Sequence, residues 1–160
     1  MKILRKFTTC IFLLALTSCG FSPMLKNINL NNINIKKIDF TGPSNLTYFL
    51  KNNLNLPINE NLKNAYSLNI DILENANSVT KNMAGITTEE EITVTVNLKI
   101  FDSDGKQIAA ESISDKRIVS ITNNITTDDT VKRIEKENII INLIQQINFA
   151  IRAKIISSQQ

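Results

Sequence analysis

Nine residues constrain this fold more than any others. Over residues 92–100, Ile92, Val94, Val96, Leu98 and Ile100 fall in one phase, and Thr93, Thr95, Asn97 and Lys99 in the other. A period of two, rich in β-branched residues, describes a strand with one face buried and the other in water. Such a strand needs hydrogen-bonded neighbours on both sides and a layer over its apolar face.

The neighbours can be read outward from it. Asp102-Ser103-Asp104-Gly105 follows at once, a hairpin signal in which Gly105 supplies positive φ. The return strand, residues 106–121, holds two phases. Ile108 and Ala110 share one, while Ile113, Val119 and Ile121 share the other, which predicts a bulge or a weakly packed end. Upstream, Tyr66, Leu68, Ile70 and Ile72 alternate with Ser67, Asn69 and Asp71. A first strand within residues 28–40 carries Ile33 and Ile35, then Ile38 and Phe40, with a slip at Lys36-Lys37 that predicts a bulge or bend. Residues 75–88 are polar and contain Gly85; they read as a long loop or as a continuation of the flanking strands.

Two helices are expected to supply the cover. Thr41-Gly42-Pro43-Ser44 breaks the first strand, and Thr41 or Ser44 caps a helix carrying Leu46, Phe49, Leu50 and Leu54. Thr126-Thr127-Asp128-Asp129 starts the second, with hydroxyl caps and acids near the positive end of the helix dipole. It runs to about Ile156, with Ile140, Leu143, Ile144, Ile147, Ile151 and Ile155 on one stripe. Ile139, Ile141, Phe149 and Ile156 fall outside that stripe, more apolar surface than one buried face requires. The order β-α-β-β-β-α predicts an α+β two-layer sandwich: a four-stranded, mostly antiparallel or mixed sheet with two helices on one face.

The N-terminus has the layout of a bacterial export signal. Lys2, Arg5 and Lys6 form a basic head, and the apolar run over residues 7–16 leads into Leu16-Thr17-Ser18-Cys19. That run is about 10 residues, where a spanning helix needs about 20. A leucine, two small residues and a cysteine resemble the lipobox of bacterial lipoproteins. The resemblance implies a leader of residues 1–18, a covalent lipid on Cys19 and a tether over residues 19–27. A single domain of residues 28–157 and a tail of residues 158–160 complete the chain. Gly20, where a retaining aspartate would sit in many bacteria, implies the outer membrane, with the domain on its periplasmic side.

Losing the leader changes the composition in a way that bears on function. The net charge of +3 comes from 18 basic and 15 acidic residues, and removing Lys2, Arg5 and Lys6 leaves 15 of each sign. A neutral domain lacks the positive balance of a nucleic-acid binder. Both cysteines are accounted for, Cys10 in the leader and Cys19 under lipid, and the chain has no histidine. The commonest nucleophile, general base and metal ligands are therefore missing, and no enzyme, metal site or cofactor beyond the lipid is expected. Asp102, Asp104 and Gly105 resemble the start of a calcium loop, but Ile113 stands where its distal glutamate belongs, and a hairpin turn explains them. Glu89-Glu90-Glu91 has no nucleophile beside it and reads as a solvated start to the long strand. Lys36-Lys37, Lys81 and Lys116-Arg117 have two readings. Converging at one end of the sheet, they would grip an anionic headgroup; dispersed, they protect strand edges.

In order and spacing the chain resembles LptE, a family of lipopolysaccharide-assembly lipoproteins. The likeness begins at Cys19-Gly20-Phe21-Ser22-Pro23-Met24 and passes through Gly42-Pro43-Ser44-Asn45-Leu46 into Phe49-Leu50-Lys51-Asn52-Asn53-Leu54. Ser78-Val79-Thr80-Lys81-Asn82, the strand over residues 91–101 and the terminal helix follow in the same order. The resemblance implies a lipoprotein that plugs the LptD β-barrel and helps carry lipopolysaccharide to the cell surface. It implies a lipopolysaccharide contact at Lys81, whereas Glu111 stands where another basic residue is expected; Lys116 and Arg117 are further candidates from the reading of the basic residues themselves. The alternative from the residues alone is an adaptor or inhibitor of another envelope protein.

Overall fold

The computed structural model describes residues 33–60 and 65–158. Cys19, the leader, the tether and the last two residues of the tail lie outside them. Four strands and two helices follow one another as β1 (Ile35–Thr41), α1 (Ser44–Asn53), β2 (Tyr66–Lys81), β3 (Thr87–Phe101), β4 (Gln107–Ser120) and α2 (Ile125–Ser158). The sheet order is β1-β2-β3-β4, with β1 parallel to β2 and the other pairs antiparallel. The fold is the expected α+β arrangement with a mixed sheet.

The register shows why the alternation matters. On the covered face Ile38, Leu68, Ile100 and Ala109 form one row, and Phe40, Ile70, Leu98 and Glu111 the next. Leu68, Ile70, Ile72, Ile92, Val94, Val96, Leu98 and Ile100 are all buried there. Over them lies α2, which packs on β3, β4 and α1. Leu143, Ile147, Ile151 and Ile155 are fully buried, each contributing roughly 2 kcal/mol relative to exposure. Ile139 is fully buried as well, which corrects the expected stripe. Touching α1 as well as the sheet widens the covered arc of α2 beyond what a single sheet contact needs. Ile141 and Phe149 stay about half exposed. Among the described residues α2 alone is long and apolar enough to cross a membrane, but its apolar arc is spent on the sheet.

Both predicted irregularities are present. β1 shifts register between Ile35 and Lys37, at the slip, and β4 shifts opposite Ile100 and Phe101, where Ala109 and Gln107 leave Ile108 as the extra residue. That bulge moves Ala109, Glu111, Ile113 and Val119 onto the covered face. Residues 75–88, open between two readings, are strand: β2 runs on to Lys81 and β3 begins at Thr87. The turn between them repeats the predicted one. Asn82 Oδ1 accepts from the N–H groups of Ala84 and Ile86, as Asp102 Oδ1 does from Asp104 and Lys106, all at 2.9–3.0 Å. Gly85 and Gly105 both take positive φ.

Helix caps differ from expectation. Pro43 precedes α1 without any side-chain cap bond, so neither Thr41 nor Ser44 serves. At α2 the capping side chain is Asn124, whose Oδ1 accepts from Thr127 N at 3.3 Å. Asp128, in the first turn as expected, reaches back: its Oδ1 accepts from Thr122 N at 2.9 Å and Thr122 Oγ1 at 2.8 Å. The Thr122 N–H holds this carboxyl below the usual carboxylate range, against an opposing push from burial; the Thr122 hydroxyl, the Asn123 N–H and the Lys132 charge add to the lowering. A depressed folded value means stability that is present above the unfolded value of 3.8 and is lost as pH falls through the folded one. Asp128→Asn is accordingly expected to lower the melting temperature at pH 7, with the gap to the parent chain narrowing steadily below pH 3.8. Thermal melts across that range check it, and a gap independent of pH would contradict the assignment.

Candidate interaction surface

Among the described residues, helices cover one face of the sheet and no element covers the other. Alternation carries polar residues onto the open face, and the register sets them side by side. Asp39, Asn69, Lys99 and Ala110 form one row; Thr41, Asp71, Asn97 and Ser112 the next; then come Leu73, Thr95 and Ser114, and finally Asn75, Thr93 and Lys116. Short side chains at adjacent strands bond to each other. Thr41 Oγ1 donates to Asp71 Oδ1 at 2.7 Å, and Ser112 Oγ donates to Asn97 Oδ1 at 2.8 Å. The sheet's twist makes this face a shallow trough of about 650 Å³, lined by Asp39, Thr41, Asn69, Asp71, Asn97 and Ser112 among others. Its chemistry is that of amides, hydroxyls and a few carboxylates, suited to hydrogen bonding with a wet polar surface.

The predicted cations do not meet. Lys116 stands on the open face, its Nζ donating to Glu91 Oε2 at 2.7 Å. Arg117, one residue on, points to the covered face, with Nε 3.6 Å from Glu135 Oε2. Lys81 sits beside Thr87 at the end of β2, exposed and without an ion pair among the described residues. Lys116 lies opposite Thr93, six residues along β3, roughly 20 Å from the Lys81 position. Lys37 bonds Asp39 at 2.8 Å and lies beside Ser67, at the other end of the sheet and roughly 45 Å from Lys81. Exposed pairs of this kind are worth at most about 1 kcal/mol, so Lys116 can exchange Glu91 for another anion at little cost.

Every glutamate of the acidic run has a partner. Glu89 accepts from Thr80 Oγ1 at 2.6 Å, Glu90 pairs with Lys132 at 2.7 Å, and Glu91 holds Lys116. Glu111 lies on the covered face and pairs with Lys154 at 2.9 Å, so its carboxylate ties the β4 edge to α2. Lys136 and Glu74 make a similar tie at 2.7 Å. Among the described residues no group of carboxylates is arranged to hold a metal ion. Reading residue by residue singles out the cations and misses the lattice of Thr41, Asp71, Asn97 and Ser112. Their shared polar phase is visible in each strand, but only pairing brings them together.

Solved structures share this architecture. Rare lipoprotein B from Shewanella oneidensis aligns with a TM-score of 0.62 at 12% identity, over 78% of this chain and 99% of that one. A minor lipoprotein from Acinetobacter baumannii aligns at 0.56 and 21% identity, over 76% and 93%. Lipoprotein B from Nitrosomonas europaea aligns at 0.52 and 12%, over 72% and 82%. At these identities the likeness is one of fold. No protein-family model matches the sequence, and no curated protein matches it.

Proposed function

We propose that this chain is a lipid-anchored protein of the bacterial envelope whose domain seats in the polar lumen of an LptD-like outer-membrane β-barrel and supports lipopolysaccharide export. The observation that carries the reading is the open sheet face, four strands wide and built from small hydrogen-bonding side chains. A domain that met an apolar partner would expose a mainly apolar surface there; this one presents mainly amides, hydroxyls and charged groups, with Leu73 and Ile118 the exposed apolar exceptions, which matches a water-lined barrel interior. The neutral charge of the chain without its leader fits a lumen that holds both signs. The three solved structures named above are described as lipoproteins, which supports the anchored state inferred from Leu16-Thr17-Ser18-Cys19. Of the three candidate cations we assign Lys81 to a lipopolysaccharide phosphate, since Lys116 and Arg117 must first leave their carboxylates.

Co-purification tests the proposal. The tagged full-length chain, extracted from its native membrane in mild detergent, is expected to bring down a large β-barrel in stoichiometric amount. Recovery without any such barrel overturns the reading. Depletion of the chain with normal surface lipopolysaccharide would instead favour an adaptor or inhibitor of another envelope protein.

A further inference from the structure

β4 is an edge strand of 14 residues, with no strand on its outer side among the described residues. The opposite edge is shorter and is capped at its start: Ile35 of β1 bridges to Ile58, and Asn59 N donates to Ile35 O at 2.8 Å. Among the described residues no such segment covers β4. A groove of about 520 Å³ runs between its edge and α2, lined by Ile113, Ser114, Gln145, Phe149 and Ala150 among others. Phe149 is 55% exposed beside it, and Ile118 on the open face of the same strand is 58% exposed. An unpaired edge of this length, flanked by apolar side chains, is a template for strand addition.

We propose that this edge pairs antiparallel with β4 of a second copy, about a two-fold axis through Ser114. The occupant follows from the strand's own sequence. An axis normal to the sheet keeps both helix layers on one side, so facing residues must share a face, and the axis must pass through a residue. Centring on Ser112 brings no opposite charges face to face, and centring on Ile113 sets Glu111 against Asp115. Centres at Asp115, Lys116 and Arg117 each set a charge against its own copy. Ser114 alone places Glu111 opposite Arg117, twice by symmetry, with no like charges facing; both side chains would exchange part-exposed partners, Lys154 and Glu135, for each other. The same register sets Ala109 against Val119 and Ala110 against the exposed Ile118, and it lays the incoming strand over Phe149. The result is one continuous eight-stranded sheet with both α2 helices on the same face. The paired state belongs to the chain outside a barrel, since a two-domain sheet and a single domain seated in a lumen exclude each other, and its test needs no barrel.

Cysteine substitution in the full chain reads the register directly, with the parent protein as background for Cys10 and Cys19. Ser114→Cys puts two thiols across the axis about 5 Å apart at Cβ, and a bifunctional thiol reagent that spans this gap but not twice its length is expected to convert the purified protein to covalent dimer. Ser112→Cys places its thiols roughly 14 Å apart and is expected to stay monomeric. Adding Glu111→Arg to Ser114→Cys should abolish the cross-link, and further adding Arg117→Glu should restore it, each variant checked for a folded far-ultraviolet spectrum. A monomeric Ser114→Cys in a folded chain overturns the proposal, as does a dimer cross-linked through Ser112→Cys.

Discussion

Gly42→Ala is expected to lower the melting temperature by about 10 °C, corresponding to about 3 kcal/mol. Gly42 joins β1 to α1 with φ at +122°, a region that side chains rarely enter. A Cβ there would lie 2.3 Å from the carbonyl oxygen of Ile72 and 3.0 Å from its Cβ. Neither atom can yield cheaply, because Ile72 is fully buried in β2 and is paired with Val96 of β3. The strain must instead pull the end of β1 and the start of α1 away from the sheet. Gly85→Ala separates the two causes. It shares the positive φ, at +77°, but an added Cβ meets nothing within 4 Å, so it should cost only about 1 kcal/mol of backbone strain. Thermal unfolding followed by circular dichroism compares the pair, and equal shifts would show that the contact with Ile72 is unimportant.

Cys19→Ala is expected to move essentially all of the protein from the membrane fraction into the soluble periplasmic fraction. Each buried methylene of an acyl chain contributes about 0.8 kcal/mol, and a single chain gives only marginal anchoring, so a lipoprotein cysteine holds through two or three. Among the described residues nothing apolar of comparable size remains to hold the domain. α2, whose length and hydropathy would suit a bilayer, has its apolar arc committed to the sheet and α1. Fractionation after a high-salt wash gives the answer, and retention in the membrane pellet would point to a second anchor.

Much of the fold is legible because local chemistry and tertiary demand agree. The strand over residues 92–100 alternates because one face is buried, and Asp102 with Gly105 turns the chain by side-chain acceptors and positive φ. The slip at Lys36-Lys37 is a bulge for the same reason: a buried phase must be restored after an extra residue. Residues 75–88 leave two readings open because polarity on both faces reads as loop. There the strands extend past most of the cover, and backbone pairing to β3 holds them with little apolar burial. Asn82 and Gly85 repeat the Asp102 and Gly105 spacing, and that signal is present in the sequence.

The candidate surface is less legible, because it is made by register. Lys116 and Arg117 are adjacent in the chain yet point to opposite faces and into different carboxylates, Glu91 and Glu135. Ile139 joins the core outside the expected stripe, and α2 packs on α1 as well as on the sheet, a contact that no period along α2 records. Outside residues 75–88 and the two-phase β4, order, element type and the apolar face of each strand are local properties, set by side-chain period and turn chemistry, and the sequence alone determined them. Which polar side chains share the open face, which cations are already paired, and which edge remains free depend on strand order and pairing. Those are non-local choices, made by the burial of the whole helix layer at once, and only the tertiary structure decided them.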